Sequence, residues 1–116
     1  MKKRKIILRF RATNKDFFQA IKNGKKKVET RAATVRYRDI KSGDVVEFVC
    51  GKERFSRTVK SARVFPGIDA MLNVHKLTDI MPNARSVEDL QKLYQDFPGY
   101  REKLKKFGII ALEFKK

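Results

Sequence analysis

Tryptophan is absent from this chain of 116 residues, and cysteine and histidine occur once each, as Cys50 and His75. A lone cysteine cannot close an internal disulfide, and no feature points to secretion, so the expected compartment is the cytoplasm. One histidine and one cysteine, without clustered carboxylates, give no zinc-ligand spacing, and neither a metal nor a cofactor is expected. No Ser-His-Asp or Cys-His set can be assembled either, because His75 would have to serve in every candidate. His75 reads as a surface or helix-end residue, and Cys50 as a small apolar side chain buried at a strand end. The six glycines are scattered at turns and form no phosphate-cradling loop. Long apolar runs are missing as well. None approaches the roughly 20 residues that cross a bilayer, and Ile6 to Phe10 is too short for a signal-peptide core. No membrane partner is expected.

Acidic residues are scarce: 13 Asp and Glu stand against 29 Lys and Arg, a formal net charge of +16. The surplus is uneven, since residues 1–31 hold twelve Lys and Arg against only Asp16 and Glu29. A compact state with so much charge of one sign repels itself, which implies an opposite partner. Phosphate matches this footprint, so RNA or a nucleotide-containing ligand is the expected partner. Two other readings stay open: a basic composition that serves solubility alone, and an anionic membrane surface, for which no basic amphipathic helix stands apart. The chain is 41% hydrophobic, with nine Phe and three Tyr as large fillers. That suffices for one core, and residues 1–116 read as a single domain, taken as a monomer, without linker or internal repeat.

Residues 1–5 read as a basic N-terminal arm that frays. Ile6, Leu8 and Phe10 then alternate with polar positions, a half-buried strand. Thr13 or Asn14 can cap a helix with Phe17, Phe18 and Ile21 on its apolar face, ended by Asn23-Gly24. A short strand over 27–31 and a connection over 32–43 follow. Val45 to Cys50 is a strand, Gly51-Lys52 a tight turn, and Phe55 to Phe65 a strand long enough to hold a bulge. Pro66-Gly67 stops it, and Ile68 to Leu77 reads as helical. Ser86 with Asp89 predicts a capped helix carrying Val87, Leu90, Leu93 and Tyr94. Pro98-Gly99 breaks that helix, Tyr100 to Phe107 adds another turn or two, and Ile110, Leu112 and Phe114 make a closing strand. The order predicts an α+β fold: a small mixed β-barrel with inserted helices.

The segment from Gly24 to Arg31 concentrates the chemistry. Gly24 lets the chain leave the helix sharply, and Lys26 follows where it can project over a cleft. Glu29 and Arg31, two apart on a strand, face the same side. A carboxylate between cations can accept from a base amino group or move a proton, while the cations neutralise a phosphate or a developing oxyanion. Taken alone, the same composition also describes an ordinary solvated face.

The spacing Gly24, Lys26, Glu29, Arg31 resembles the G-x-K-x-x-E-x-R signature of the ASCH domain, a branch of the PUA-like superfamily. Ile40-Lys41-Ser42-Gly43-Asp44 with Val46 and Phe48 is similar to the family's I-x-x-G-D-x-I-x-F stretch. Phe97-Pro98-Gly99-Tyr100 followed by Phe107 to Leu112 is similar to its C-terminal Y…G-V-V-A-I strand. The match runs from Lys5 to Phe114. It implies a PUA-like barrel, a cleft floored by the signature strand, and a role in RNA binding or RNA-related chemistry. Some members hydrolyse the modified nucleoside N4-acetylcytidine and others are ribonucleases. In the amidohydrolase branch a Thr nucleophile stands where this chain has Glu29, with Lys at the position of Lys26. Thr30 is adjacent but is expected on the opposite strand face, so this chain departs from that branch at its nucleophile, and Glu29 either replaces or abolishes that role.

In the RNA-binding reading, Lys25, Lys26, Lys27 and Arg31 neutralise phosphates and Glu29 reads a base donor. Arg36 and Tyr37 lie in the following connection, where Tyr37 either stacks on a base or covers the barrel end. Phe65 and Pro66 raise the same question. Phe10, Phe48, Phe55, Phe107 and Phe114 are left as core. In the alternative, a hydrolase of RNA or a modified nucleoside, Lys26 stabilises transition-state charge and Glu29 is the general base. A protein-interaction module linked to transcription coactivation is the third reading.

Overall fold

The computed structural model describes residues 4–115. In β1 (Lys5–Arg9), Ile6 and Leu8 are buried while Lys5 and Arg9 face solvent, the alternation that one covered sheet face imposes. A 3-10 turn leads into α1 (Lys15–Lys22), which buries Phe18 and Ile21 one turn apart. Three strands follow: β2 (Val28–Ala32), β3 (Val45–Cys50) and β4 (Glu53–Phe65). Four helices come next: α2 (Ile68–Leu72), α3 (Leu77–Ile80), α4 (Val87–Asp96) and α5 (Tyr100–Phe107). The chain closes on β5 (Ile109–Phe114). No helix among the described residues is long and apolar enough to cross a membrane.

The five strands form one α+β sheet in the order β1-β3-β4-β5-β2. β1 runs parallel to β3, and the other pairs are antiparallel. β4 is the pivot. Its first half pairs with β3 up to Thr58, and its second half pairs with β5 from Val59 onward, with a register shift between Val59 and Ser61. A bulge of this kind bends the strand and sharpens its twist. Glycine is required at the start of β5, where Gly108 has φ of 78° and an added Cβ would lie 2.5 Å from the carbonyl oxygen of Phe65.

The expected barrel does not close among the described residues: β1 and β2 remain the two edges of the sheet. Side chains bridge part of the gap instead, with Phe10 beyond β1 lying 5.0 Å from the guanidinium of Arg31 on β2. Each sheet face carries its own core. Phe18, Phe48, Val46, Leu8, Ile110 and Leu112 gather on the α1 side. Phe65, Met71, Ile80, Leu90 and Tyr94 gather with Ile109 under the later helices.

Three local expectations are corrected. The fraying expected over 1–5 does not hold for Arg4 and Lys5, because Lys5 opens β1 and the Arg4 amide donates to Asp44; the rest of that expectation, over 1–3, lies outside the described residues. The helix expected over 68–77 is two helices, since Asn73 and Val74 are poor helix formers and Lys76 is extended. At α4 the Ser86 side chain makes no capping bond. The Asp89 carboxylate reaches back instead to accept the Arg85 amide at 2.8 Å.

Candidate functional site

The register of β2 against β5 sets which side chains share a face. Glu29 opposes Leu112 and Arg31 opposes Ile110, whereas Thr30 opposes Ala111. Directly paired residues of an antiparallel ladder project to the same side. Glu29 and Arg31 therefore stand on the phenylalanine-rich face, where two further core residues would otherwise fit. Thr30 stands on the helical face, and its hydroxyl is 2.6 Å from that of Tyr94.

Lys26 reaches this position because Gly24, at φ of 85°, reverses the chain after α1, a conformation glycine adopts without strain. The Lys26 amide donates to the carbonyl of Ala20, and the Lys27 amide to that of Asp79. These bonds fix the segment between helix and strand. Lys26 and Glu29 are only 4% and 5% exposed, so water screens their charges poorly. The Lys26 ammonium lies 3.6 Å from Glu29 Oε1, donates to the carbonyl of Ile80, and sits 5.7 Å from the Phe17 ring. Arg31 approaches Glu29 Oε2 at 3.5 Å. Its guanidinium lies over Phe10 at 5.0 Å and near the Tyr37 ring at 5.9 Å. One carboxylate thus holds two cations, leaving a local charge of +1. Burial pushes the Lys26 ammonium below the ordinary lysine range, Glu29 pulls it back up, and Arg31 lowers it further.

β2 is also an edge whose outward amides are taken by side chains. The Thr30 amide donates to Glu29 Oε1 at 2.9 Å, and the Ala32 amide to the Tyr100 hydroxyl at 2.8 Å. With those donors occupied, the edge is a poor template for another strand. Burial pushes the Tyr100 phenol up to about 12 and raises that of Tyr94 as well.

These groups line a cleft of about 240 Å³ in the gap between the two edge strands, walled by Phe10 and Phe17 on one side and Tyr94, Phe97 and Tyr100 on the other. Sites for drug-sized ligands begin near 300 Å³, so this volume suits a smaller group. Arg9 and Arg11 add cations to its wall.

The sequence-predicted residues divide. Lys26, Glu29 and Arg31 meet in the cleft. Lys25 is exposed and away from it, and Lys27 lines a different concavity. The cause is the turn at Gly24, which sends the lysines between α1 and β2 apart. Tyr37 is half-buried against the α1-side core and supports Arg31, with exposed Arg36 at 5.4 Å from its ring. Phe10, assigned to the core from sequence, packs against the α1-side core and is at the same time a cleft wall. Phe17, Phe97, Tyr94 and Tyr100 were not predicted at the site. The Phe97-Pro98-Gly99-Tyr100 break between α4 and α5 was the one sequence signal near them. His75 stays apart, edge-on to Phe65 at 6.0 Å, and Cys50 is buried at the end of β3.

No family model matches the chain, and no curated protein does. Solved structures do. The crystal structure of the archaeal hypothetical protein PH0355 has a TM-score of 0.79 and 31% identity, over 96% of this chain and 97% of that one. The solution structure of protein PF0455 from Pyrococcus furiosus has a TM-score of 0.73 and 32% identity, over 96% of both chains. With that identity over nearly the whole of all three chains, the protein belongs to one family with these two archaeal proteins.

Proposed function

We propose that the protein binds RNA or a nucleotide-containing ligand, with one nucleoside unit entering the cleft between β1 and β2. The observation that carries this reading is the buried Lys26–Glu29–Arg31 set inside an aromatic-walled cleft, on a chain of net charge +16. A carboxylate held between cations on an otherwise apolar face is costly for folding, since burial removes its hydration. That cost makes sense where the group meets a ligand. Aromatic walls suit the faces of an unpaired base, and the cations suit its phosphate. The ASCH resemblance points the same way, because Lys26, Glu29 and Arg31 are its signature positions. Binding of single-stranded RNA, followed by fluorescence anisotropy, should weaken with salt at a log–log slope of about −0.7 per phosphate contact. Glu29→Gln should lower affinity without removing the salt dependence. No affinity at low salt, or affinity indifferent to salt, would overturn the reading.

One observation favours a second reading, a hydrolase of RNA or a modified nucleoside. Burial moves Lys26 toward the neutral form, beside a carboxylate able to carry a proton, as general acid–base chemistry requires. Thr30 is not the nucleophile in this reading, because its hydroxyl is turned to Tyr94. Incubation with RNA and with acetylated cytidine tests it. Turnover abolished by Lys26→Met and by Glu29→Gln supports it, and turnover that survives both excludes these residues from the reaction.

A further inference from the structure

Beside the cleft lies a second, wider concavity of about 1040 Å³, between the end of α1 and the fork where β4 leaves β3 for β5. Its lining contains Lys22, Lys27, Arg57, Lys60 and Lys115, with Glu113 the acidic residue among them. We propose that this groove is a track for the phosphodiester backbone of a single-stranded nucleic acid, one nucleotide of which occupies the cleft. The proposal rests on the nucleotide reading of the cleft and extends it to the length of ligand bound.

Three features support the assignment. First, the groove and the cleft are neighbours: the buried Lys26 borders both, so one ligand longer than a nucleotide is within reach of the two. Secondly, three of the five cations are presented rather than neutralised, while Lys22 and Lys60 each stand 3.9 Å from an exposed or half-exposed carboxylate, Glu53 and Glu113. Among the described residues no carboxylate comes within 4.0 Å of Lys27, Arg57 or Lys115. Elsewhere Arg4, Lys5, Lys15 and Arg54 each meet an acidic partner. Like charges gathered in a concavity focus positive potential, which attracts a polyanion. Thirdly, the backbone aims two of these side chains. Lys60 is the residue skipped by the register shift between Val59 and Ser61, and bulges re-aim side chains in this way. Arg57 donates to the carbonyls of Ser56 and Lys22 at 2.9 and 3.2 Å and lies 4.7 Å from the Phe55 ring. It is held in place before any ligand arrives.

The test compares a mononucleotide with a single-stranded RNA of about eight nucleotides, a length within the usual footprint of such sites. Both are titrated onto the full chain and onto the groove variant Lys27→Ser/Lys60→Ser/Lys115→Ser. A control variant, Lys92→Ser/Lys103→Ser/Lys105→Ser, removes the same charge from exposed helix positions outside both concavities. The expected result is that the oligonucleotide binds the native chain about tenfold or more tighter than the mononucleotide. The groove variant should lose that gain, with a salt slope shallower by about 2 for three contacts. Its mononucleotide affinity and the control variant's oligonucleotide affinity should stay unchanged. Equal losses in both variants, or none in the groove variant, overturn the proposal. A native chain that binds the mononucleotide with no gain for the oligonucleotide overturns the groove and leaves the cleft reading standing. Oligonucleotide binding that responds to the groove variant but not to Glu29→Gln keeps the groove and removes the cleft reading. An oligoglutamate that competes as well as RNA overturns the assignment to nucleic acid.

Discussion

On one face of the sheet the rings of Phe18, Phe55, Phe48 and Phe114 meet in that order, with centroids 5.0, 4.8 and 5.1 Å apart. On the other face the aromatic residues include Tyr94 and Tyr100, whose hydroxyls reach the Thr30 side chain and the Ala32 amide. The first face is closed by dispersion and water exclusion, which need no directional partner. The second must also satisfy the outer edge of β2, and a phenol supplies both an apolar body and a polar tip. The cleft opens where these two modes of construction meet. There the apolar face is interrupted by Glu29 and Arg31, and the stacked rings give way to Phe10 and Phe17. A site arises where packing alone stops supplying the contacts.

This contrast can be broken first at its apolar end. Phe48 is fully buried and touches two rings of the series, so Phe48→Ala should cost about 3–5 kcal/mol in urea unfolding. A cost near 1 kcal/mol would mean that the face collapses around the gap. At the polar end, Lys26→Met leaves Glu29 buried with only Arg31 nearby and should cost about 3 kcal/mol. The double variant Lys26→Met/Glu29→Leu should recover most of that loss while ligand binding disappears. No recovery in the double variant would show that the pair stabilises the fold rather than serving the ligand.

The smallest effect concerns the tyrosines and is read from pH. Burial holds Tyr100 at about 12 and also raises Tyr94, while in the unfolded chain both ionise near about 10. The folded state keeps protons that the unfolded state has lost, so stability is whole below about pH 10 and falls as pH rises toward about 12. Lys26 acts in the opposite sense, since its lowered value makes stability rise with pH. Comparing Tyr94→Phe/Tyr100→Phe with the native chain cancels the lysine contribution. Urea midpoints at about pH 9 and about pH 11 should fall more steeply for the native chain than for the double variant. Parallel slopes would mean that the phenols ionise alike in both states.

Much of the frame was readable from local pattern. Alternation marked β1, β3 and β5, and the length of the segment ending at Phe65 announced the bulge. The pairing of Glu29 with Arg31 on one face followed from strand period alone. Helix caps were less readable. Ser86 has the right residue type, but which side chain wins a terminal amide depends on rotamers, and Asp89 took the Arg85 amide. Tyr94 and Tyr100 were unreadable as partners of β2, because they meet it across 64 and 68 residues of sequence. The run Lys25-Lys26-Lys27 looked like a single basic patch, yet only Lys26 enters the cleft.

Charge, period and turn chemistry act between neighbours in the chain, so the sequence by itself determined a basic α+β protein with Lys26, Glu29 and Arg31 close together. Tertiary structure decided that the sheet stays open, that Glu29 lies buried between two cations, and that Lys27 faces a separate groove while Lys25 stays exposed. Those outcomes depend on the bend in β4 and on helices returning to β2 from far along the chain. Contacts of that range are selected by how the whole core packs, which no local pattern encodes.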